Sequence, residues 1–314
     1  MEGLKHIPVL LEEALAGLNI KSNGVYVDCT MGGAGHASKI LKRLNQEGYL
    51  YCFEQDEASV IRGRKVLEQI SNNFTIIQDN FVNIKARLEE HGVHGVDGIL
   101  YDLGVSSFQF DEQERGFSYN YDARLDMRMN REQEISAYEI VNNTDYEELK
   151  SILYKYGEER FAPNIARKIC IYREKKPITT TFELVEIIKE AIPAFARRSG
   201  GHPAKKVFQA LRIAVNDELQ VFETSLKEAL KLLKPGGRIA VITFHSLEDR
   251  ICKQVFKSKV ETVIPRGLPI KASEIKNEFR LLNNKVIIPT EEEIKSNHRA
   301  HSAKLRIIER KEEE

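Results

Sequence analysis

Three glycines within four positions, Gly32, Gly33 and Gly35, separate an apolar alternating run from a helical pattern near the start of the chain. The run Val25–Asp28 ends in an acid, and a helical periodicity follows over 37–44. Glycine lets a backbone approach a ligand closely, and the first turn of a helix has free N–H groups, so this arrangement is typical of a cofactor site in an α/β sheet. The sequence therefore predicts that a nucleotide-like molecule binds at the first strand.

The turn differs from the two best-known nucleotide signatures. Counting from Gly33, the sixth position of a G-x-G-x-x-G fingerprint is Ser38, and no Gly-Lys-Ser/Thr ending follows. Asp28 would repel a pyrophosphate placed beside it, whereas it suits a cofactor that carries positive charge. S-adenosylmethionine, with its sulfonium and ammonium groups, fits that description. A glycine turn without any ligand is the alternative.

Polar side chains also follow the next three predicted strands. Glu54 ends the strand over 49–53, the polar turn 78–81 ends in Phe81, and Asp102 ends the strand over 98–101. Glu54 could accept hydrogen bonds from ribose hydroxyls, and the turn with Phe81 could hold an adenine ring. Each acid alone is explained as a helix cap or a solvated turn residue. Four successive strand ends of this kind favour a ligand site at one edge of the sheet.

Strands and helices alternate from 25 to 102, which predicts a parallel sheet with helices on both faces. The segment 104–130 has no clear period and is predicted to be a long loop, and 135–192 has helical periodicity alone. Alternation then resumes, with one long amphipathic helix predicted over 208–233. We therefore predict a Rossmann-like α/β domain that is interrupted by a helical insertion.

The end of the chain adds two more predicted strands. Residues 238–244 form a buried apolar run, and 302–310 alternate polar with apolar residues. We divide the chain into a first part of the α/β core, a mostly helical insertion for substrate recognition and a second part of the core. These three parts cover 1–107, 108–205 and 206–314.

The composition fits a soluble globular protein. Of the 314 residues 42% are hydrophobic, but no apolar run approaches a membrane span and the N-terminus lacks the apolar core of a signal peptide. Cys29, Cys52, Cys170 and Cys252 are scattered and form no C-x-x-C pair, so neither zinc nor disulfides are expected. We expect a cytoplasmic protein with free thiols and no membrane partner.

The formal net charge is zero, yet the charge is unevenly distributed. Between Arg160 and Arg212 there are twelve Lys or Arg residues and four Glu residues, an excess of eight positive charges. Basic side chains concentrated in one segment can neutralise the phosphates of a nucleic acid. A solvated basic face is an equally good explanation at this point.

Ordered motifs along almost the whole chain resemble those of the RsmH/MraW family, bacterial methyltransferases that modify N4 of a cytosine in 16S ribosomal RNA. The motifs are HIPVLL (6–11), GGAGH (32–36), DLGVSS (102–107), ERGFS (114–118), LDMRM (125–129), YGEERF (156–161), HPA (202–204), FQA (208–210), FHSLEDR (244–250) and SAKLR (302–306). So many motifs in order are far more specific than the glycine turn alone.

The resemblance implies a class I methyltransferase sheet, S-adenosylmethionine as the cofactor and an assembled small ribosomal subunit, near its decoding centre, as the substrate. It implies that the insertion helps to recognise RNA, and we select basic residues near its end as RNA contacts: Arg197, Arg198, Lys205 and Lys206. It further implies cofactor contacts at Ala34, Gly35, His36, Glu54, Phe81, Asp102 and Gln109.

Two positions depart from the family pattern near the expected target pocket. Phe108 and Arg124 each stand where the family usually has proline. Because proline restricts the backbone, both departures predict a looser loop beside the reacting base. Neither removes an expected cofactor contact, so we expect activity to survive.

Methylation of an exocyclic amine sets the chemical requirements. The lone pair of cytosine N4 is delocalised into the ring, so an enzyme must align this nitrogen and accept hydrogen bonds from its N–H groups. Asp102 is the leading candidate for that acceptor, ahead of Ser106, Ser107 and His245. Methyl transfer needs no Lewis acid, so no metal ion is expected. An unpaired base could stack on an aromatic residue of the loop: Phe117, Tyr119 or Tyr121.

Three alternatives stay open from the sequence. One is an oxidoreductase that uses a nicotinamide cofactor on a similar sheet, against which the imperfect fingerprint counts. Another is an RNA-binding assembly factor that keeps the fold without catalysis. The third is a methyltransferase with a DNA or a different RNA target, although no Pro-Pro-Tyr motif of DNA amino-methyltransferases is present.

Overall fold

Seven strands form one mixed sheet in the order β3-β2-β1-β4-β5-β7-β6. A computed structural model of the chain describes residues 8–197, 201–261, 277–283 and 285–312. Neighbouring strands from β3 to β5 are parallel, whereas β7 runs antiparallel to both β5 and β6. The predicted Rossmann-like class and the predicted strand near the end of the chain are therefore confirmed. The strands are β1 (Val25–Asp28), β2 (Tyr49–Phe53), β3 (Phe74–Ile77), β4 (Val96–Asp102), β5 (Leu233–Thr243), β6 (Phe279–Leu281) and β7 (Lys304–Arg310).

Helices connect the strands, and none in the described part of the chain has the length and apolar character that crossing a bilayer requires. Short 3₁₀ turns cover Phe81–Asn83, Gln113–Arg115 and His298–Ser302. The α-helices are α1 (Leu11–Leu18), α2 (Gly35–Leu41), α3 (Glu57–Glu68), α4 (Ile84–Glu90), α5 (Ser107–Asp111), α6 (Ala137–Asn143), α7 (Tyr146–Gly157), α8 (Ala162–Arg173), α9 (Thr181–Ala191), α10 (Ala194–Arg197), α11 (Lys205–Asn216), α12 (Glu218–Leu232), α13 (Ser246–Val260) and α14 (Glu291–Ser296).

Apolar residues on both faces of the sheet explain why helices pack on both faces. Successive side chains of a strand point to opposite faces, so Tyr26 packs with α1 and α2, while Val27 packs with α4, α12 and α13. Both residues are almost completely buried. A parallel sheet covered on both faces needs such apolar runs, which is why the alternation over 25–102 predicted it correctly.

The strand order places the edge where a ligand is expected. β1 pairs with β2 on one side and with β4 on the other, so the connections leave the sheet in opposite directions at this point. Open α/β sheets bind ligands in the crevice outside the carboxyl ends of such strands. Asp28 and Asp102 occupy those two ends.

The long helix predicted over 208–233 is two helices in the structure. Asp217, between α11 and α12, has a left-handed backbone with φ of 47°, and its N–H donates to Ile213 O at the end of α11. The strand predicted at 238 begins earlier, because Leu233 already pairs with Val96 before the register shifts. Amphipathic periodicity alone did not reveal the end of α11 at this position.

The chain divides into two compact units, Met1–Gly104 with Leu219–Glu314 and Val105–Glu218. The first unit contains the sheet. The second is helical and has its own core, to which α7, α8, α9 and α11 contribute Leu149, Ile165, Leu184 and Leu211. The domain boundaries expected from the sequence at 108 and 205 stay a prediction.

The aperiodic segment of the second unit is fixed by specific polar contacts. The guanidinium of Arg115 is buried and donates to the carbonyl oxygens of Arg128 and Met129, at 2.8 and 3.1 Å. Arg124 forms an isolated β-bridge with Thr180, and Phe108 lies in the first turn of α5. The structure therefore places Arg124 in a β-bridge and Phe108 in a helix, and the looser loop stays a prediction.

Gly116 offers a direct test of how tightly this segment is packed. It has φ of 69°, and a Cβ added there would overlap the carbonyl oxygen of Arg124. Gly201, in the same unit, has φ of 86° and open space around it. Gly201→Ala should cost about 1 to 2 kcal/mol from the left-handed backbone alone, and Gly116→Ala roughly 2 kcal/mol more from the overlap. Urea unfolding followed by circular dichroism measures both, and equal losses would contradict the packing described.

Candidate functional site

A buried carboxylate, Asp28, and a partly buried one, Asp102, lie at the ends of β1 and β4. Asp28 is 1% exposed; its Oδ1 accepts a hydrogen bond from the N–H of Thr30 at 3.0 Å. The hydroxyl of Thr30 accepts from the N–H of Asp102 at 2.7 Å and lies 3.5 Å from Asp28 Oδ1. Thr30, which sequence reasoning missed, therefore joins the two strand ends.

One oxygen of each carboxylate has no hydrogen-bond partner among the described residues. These buried atoms are Oδ2 of Asp28 and Oδ1 of Asp102. Buried polar atoms in native proteins are nearly always paired, so two unpaired acceptors at a strand-end crevice indicate a place for donors from a ligand.

His36 in the first turn of α2 lies against the same carboxylates. Its Nε2 is 3.1 Å from the carbonyl oxygen of Val9, and its Nδ1 is 3.3 Å from Oδ2 of Asp102. Burial by itself would lower the pKa of His36, but the hydrogen bond and charge of Asp102, with the charge of Asp28, raise this pKa above its ordinary value. Both ring nitrogens are thus engaged by the protein.

The glycine turn packs against the segment that precedes α1. A Cβ on Gly35 would lie 2.6 Å from Cγ of Pro8, so the absence of a side chain makes room for this proline. Ala34 has φ of 62°, an uncommon left-handed conformation for a residue with a side chain, of the strained kind that clusters at functional sites. The glycine predicted to approach a ligand therefore has a structural role as well.

Residues 8–10 belong to the site, although sequence reasoning did not place them there. Pro8 contacts Gly35, Val9 binds His36 through its carbonyl, and the N–H of Leu10 donates to Glu293 of α14 at 2.7 Å. The motif at 6–11 was the available signal. Its first two residues lie outside the described part of the chain.

Glu54 connects the end of β2 to the glycine turn. Its carboxylate accepts hydrogen bonds from the N–H groups of Gly32 and Asp56, both at 2.9 Å. Burial, together with the nearby charge of Asp56, raises the pKa of Glu54 to about 7 although these hydrogen bonds oppose the shift. The group can therefore change its charge near neutral pH.

Phe81 begins the 3₁₀ turn after β3 and is half-buried. Its ring meets Tyr101 edge to face at 5.6 Å, and its carbonyl oxygen accepts from the Ser225 hydroxyl at 2.8 Å. These contacts fix the ring in the same unit as Asp28 and Glu54. An aromatic ring held in this way can stack against a flat ligand.

The remaining polar candidates cap helices. Ser106 and Gln109 form a capping box at the start of α5, in which each side chain accepts from the other's backbone N–H. His245 is the N-cap of α13, and its Nε2 lies 3.1 Å from Glu248. Gln109 belongs to the second unit, and the side chain of Ser107 lies outside what the structure describes.

The basic residues predicted to contact RNA differ in their surroundings within the second unit. Arg197 and Lys205 are exposed, whereas the Lys206 ammonium donates to the carbonyl oxygen of Glu158 at 3.0 Å, just past the end of α7. Cations are favourable at a helix C-terminus, so Lys206 has a structural explanation that Lys205 lacks. Arg198 lies outside the described residues.

The aromatic candidates of the same unit also differ from one another. Phe117 is buried in the core, and Tyr121 is exposed. Tyr119 is stacked on His202, with ring centroids 4.4 Å apart and planes within 4°. One face of the Tyr119 ring is therefore already stacked on a protein side chain. Phe117 is explained by its packing in the core.

Comparison with known sequences decides the family. A sequence model of the MraW methylase family matches residues 3–311. The chain belongs to the MraW methylase family. This confirms the resemblance seen in the motifs, and a methylase family does not fit the nicotinamide oxidoreductase alternative.

Alignments with two known proteins cover nearly the full length of each chain. Ribosomal RNA small subunit methyltransferase H of Limosilactobacillus fermentum is 56% identical over 313 residues, 99% of each chain. Among solved structures, an rRNA methylase from Streptococcus thermophilus aligns over 99% of this chain and 100% of its own, with 11% identity and a TM-score of 0.44.

The stability of this family member should depend on the charge of Asp28. Burial raises the pKa of Asp28 to about 6, above its ordinary value in an unfolded chain. The fold therefore loses stability as pH rises from about 4 to about 6, and the loss is complete above that range. Asp28→Asn should therefore stabilise the ligand-free protein at pH 8, by up to about 2 to 3 kcal/mol, and this gain should disappear toward pH 4.

Thermal melts of both proteins between pH 4 and pH 8 measure the effect. Glu89→Gln, at an exposed position of α4 in the same unit, is the matched control and should show no such pH dependence. A loss of stability for Asp28→Asn that is the same at every pH would contradict the assignment of a costly buried charge.

Proposed function

We propose that the protein transfers a methyl group from S-adenosylmethionine to the exocyclic N4 amine of a cytosine in the decoding centre, at the P site, of 16S ribosomal RNA on the small subunit. Membership of a methylase family supports the reaction class, and the 56% identical relative, a ribosomal RNA small subunit methyltransferase, supports the substrate. The observation that carries the proposal is the unpaired, buried Oδ1 of Asp102 at the β1–β4 crevice.

The side chains at the strand ends fit the chemical groups of S-adenosylmethionine. Asp28 has a buried carboxylate with one unpaired oxygen. A cationic group of the cofactor beside it would compensate the negative charge. Glu54 accepts backbone hydrogen bonds from Gly32, Gln55 and Asp56, and because a carboxylate has about four lone-pair sites it keeps acceptor capacity for a ribose hydroxyl. Phe81 would stack on the adenine, and Ala34, Gly35 and His36 would line the turn beside it. We include Gln109 as a further contact on the family resemblance.

S-adenosylmethionine supplies an electrophilic methyl group on its sulfonium. In the proposed reaction a bond would form between N4 and this methyl carbon as the carbon–sulfur bond breaks, and the proton that N4 loses would pass to Oδ1 of Asp102 and then to water. Asp102 accepts a hydrogen bond from the amine through Oδ1, which raises electron density on N4 and holds it in line with the methyl group. We assign this role to Asp102 rather than to Ser106 or His245, because both of those side chains cap helices.

RNA binding is proposed for the second unit. Arg197 and Lys205 are exposed, and neither has an acidic partner within 4.0 Å among the described residues. Such cations neutralise phosphates without reading sequence. Lys206 and Arg198 complete the proposed set on the basis of the sequence. Action on ribosomal subunits implies a cytoplasmic protein.

Methylation of small subunits tests the reaction directly. Subunits from cells that lack this gene are incubated with the protein and labelled S-adenosylmethionine, and the modified nucleotide is mapped by mass spectrometry. Label on N4 of the decoding-centre cytosine is expected. Asp102→Asn should reduce the rate about 10²- to 10⁴-fold, whereas Asp217→Asn, which keeps a residue that tolerates the left-handed backbone, should match the wild type.

Absence of label despite measured cofactor binding would contradict the proposed reaction and favour an RNA-binding assembly factor. Label on a different nucleotide would retain the enzyme and change its target. Wild-type activity in Asp102→Asn would exclude Asp102 as the acceptor.

Lys205 and Lys206 form a matched pair for RNA binding. Lys205→Ala should weaken binding to small-subunit RNA and reduce the slope of log affinity against log salt by about 1, because one phosphate contact is lost. Lys206→Ala should also lower the stability of the protein by roughly 0.5 to 1 kcal/mol, since the end of α7 loses a donor. Filter binding at several salt concentrations and thermal melts measure the two effects.

Cofactor affinity should not change in either variant, and Lys205→Arg should retain the salt dependence. A slope for Lys205→Ala equal to that of the wild type would show that this side chain does not contact phosphate.

A further inference from the structure

The ring of His36 is held at both nitrogens, and this determines where its protons lie. A backbone carbonyl can only accept, so the contact between Nε2 and Val9 O requires a proton on Nε2. The contact of 3.3 Å between Nδ1 and Oδ2 of Asp102 then needs a second proton. Either His36 is an imidazolium facing a carboxylate, or a neutral imidazole accepts from a protonated Asp102.

The charges around the ring favour the imidazolium. Asp102 reaches it from β4, and Asp28 reaches it from β1. The thiols of Cys29 and Cys52 lie near Asp28, and burial raises the pKa of both well above the ordinary value, so they stay neutral. Glu293 of α14 is engaged by the N–H of Leu10. Two carboxylates and one imidazolium leave a single net negative charge in the cluster.

We propose that His36 is a positioning residue for Asp102: its imidazolium, anchored by the carbonyl of Val9, holds Oδ2 of Asp102 and thereby directs Oδ1 toward the amine that is methylated. This inference rests on the function proposed above. It changes the role expected for His36 from the sequence, because a ring with both nitrogens occupied has no polar atom left for the cofactor.

The carboxylate of Asp102 needs a second contact to fix its orientation. Thr30 fixes its backbone N–H, but a carboxylate can still rotate about its own side-chain bonds and exchange its two oxygens. Oδ2 bonded to His36 prevents this exchange, while Oδ1 stays buried and unpaired. His36 itself is fixed because Val9 is continuous with Pro8, which packs on Gly35, and with Leu10, which binds Glu293.

Nitrogen NMR of the histidine rings tests the proton positions without any assay of activity. In the ligand-free protein, labelled with ¹⁵N at histidine, His36 should carry protons on both nitrogens at pH 7. Asp102→Asn should lower the pKa of His36 by at least about one pH unit and leave a neutral ring protonated on Nε2. A neutral His36 in the wild type at pH 7, or a pKa that Asp102→Asn does not change, would overturn the proposal.

The pH profile of a single turnover tests the positioning role. The wild-type rate should fall at alkaline pH as the imidazolium loses its proton. His36→Gln offers one amide that can donate to Val9 or to Asp102, so the rate should fall about 10- to 100-fold and the alkaline decline should disappear, with cofactor affinity little changed. His94→Gln, at an exposed histidine of the same unit, is the matched control and should behave as wild type.

Two results separate this inference from the proposed function. An alkaline decline that persists in His36→Gln, in an otherwise active enzyme, would exclude the positioning role and leave the proposed function intact. A wild-type protein that binds cofactor but methylates no RNA would exclude the proposed function and, with it, the positioning of an amine acceptor. The NMR measurement would then still show whether His36 and Asp102 form an ion pair.

Discussion

The contact between His36 and the two strand-end carboxylates is the constraint on which the site depends. Because β1 and β4 are adjacent and parallel, Asp28 and Asp102 meet at one edge of the sheet and would repel each other in a buried setting. A proton-bearing ring near both groups reduces that repulsion. The ring can occupy this place only because the glycine turn and residues 8–10 hold it there.

This arrangement lowers the stability of the ligand-free fold and prepares a binding site. Burial raises the pKa of Asp28 to about 6 and that of Glu54 to about 7, so near neutral pH the ligand-free fold contains charges that water would solvate better. Two carboxylate oxygens in the same region have no partner among the described residues. A core chosen for stability alone would not contain them, whereas a cationic cofactor and an amine substrate would satisfy both.

Local patterns in the sequence predicted the fold well and the site in part. Alternating apolar residues with a period of 2 reveal strands, and acids directly after them mark the binding edge, so Asp28, Glu54 and Asp102 were found. The bond from His36 to Val9 joins residues 27 apart and has no local pattern. Likewise, Lys205 and Lys206 are alike in sequence, and only the position of α7 shows that Lys206 binds a helix end.

The motifs that reveal the family are not all motifs of catalysis. Arg115, in the motif at 114–118, is buried and binds backbone carbonyls of the motif at 125–129, so these two motifs stabilise the segment that contains them. His245 and Glu248, in the motif at 244–250, cap α13. Such residues specify an architecture, and their presence is equally compatible with an enzyme and with a binding protein of the same fold. The unpaired Oδ1 of Asp102 differs from these capping contacts, because a buried acceptor without a partner among the described residues indicates a place for a donor from a ligand.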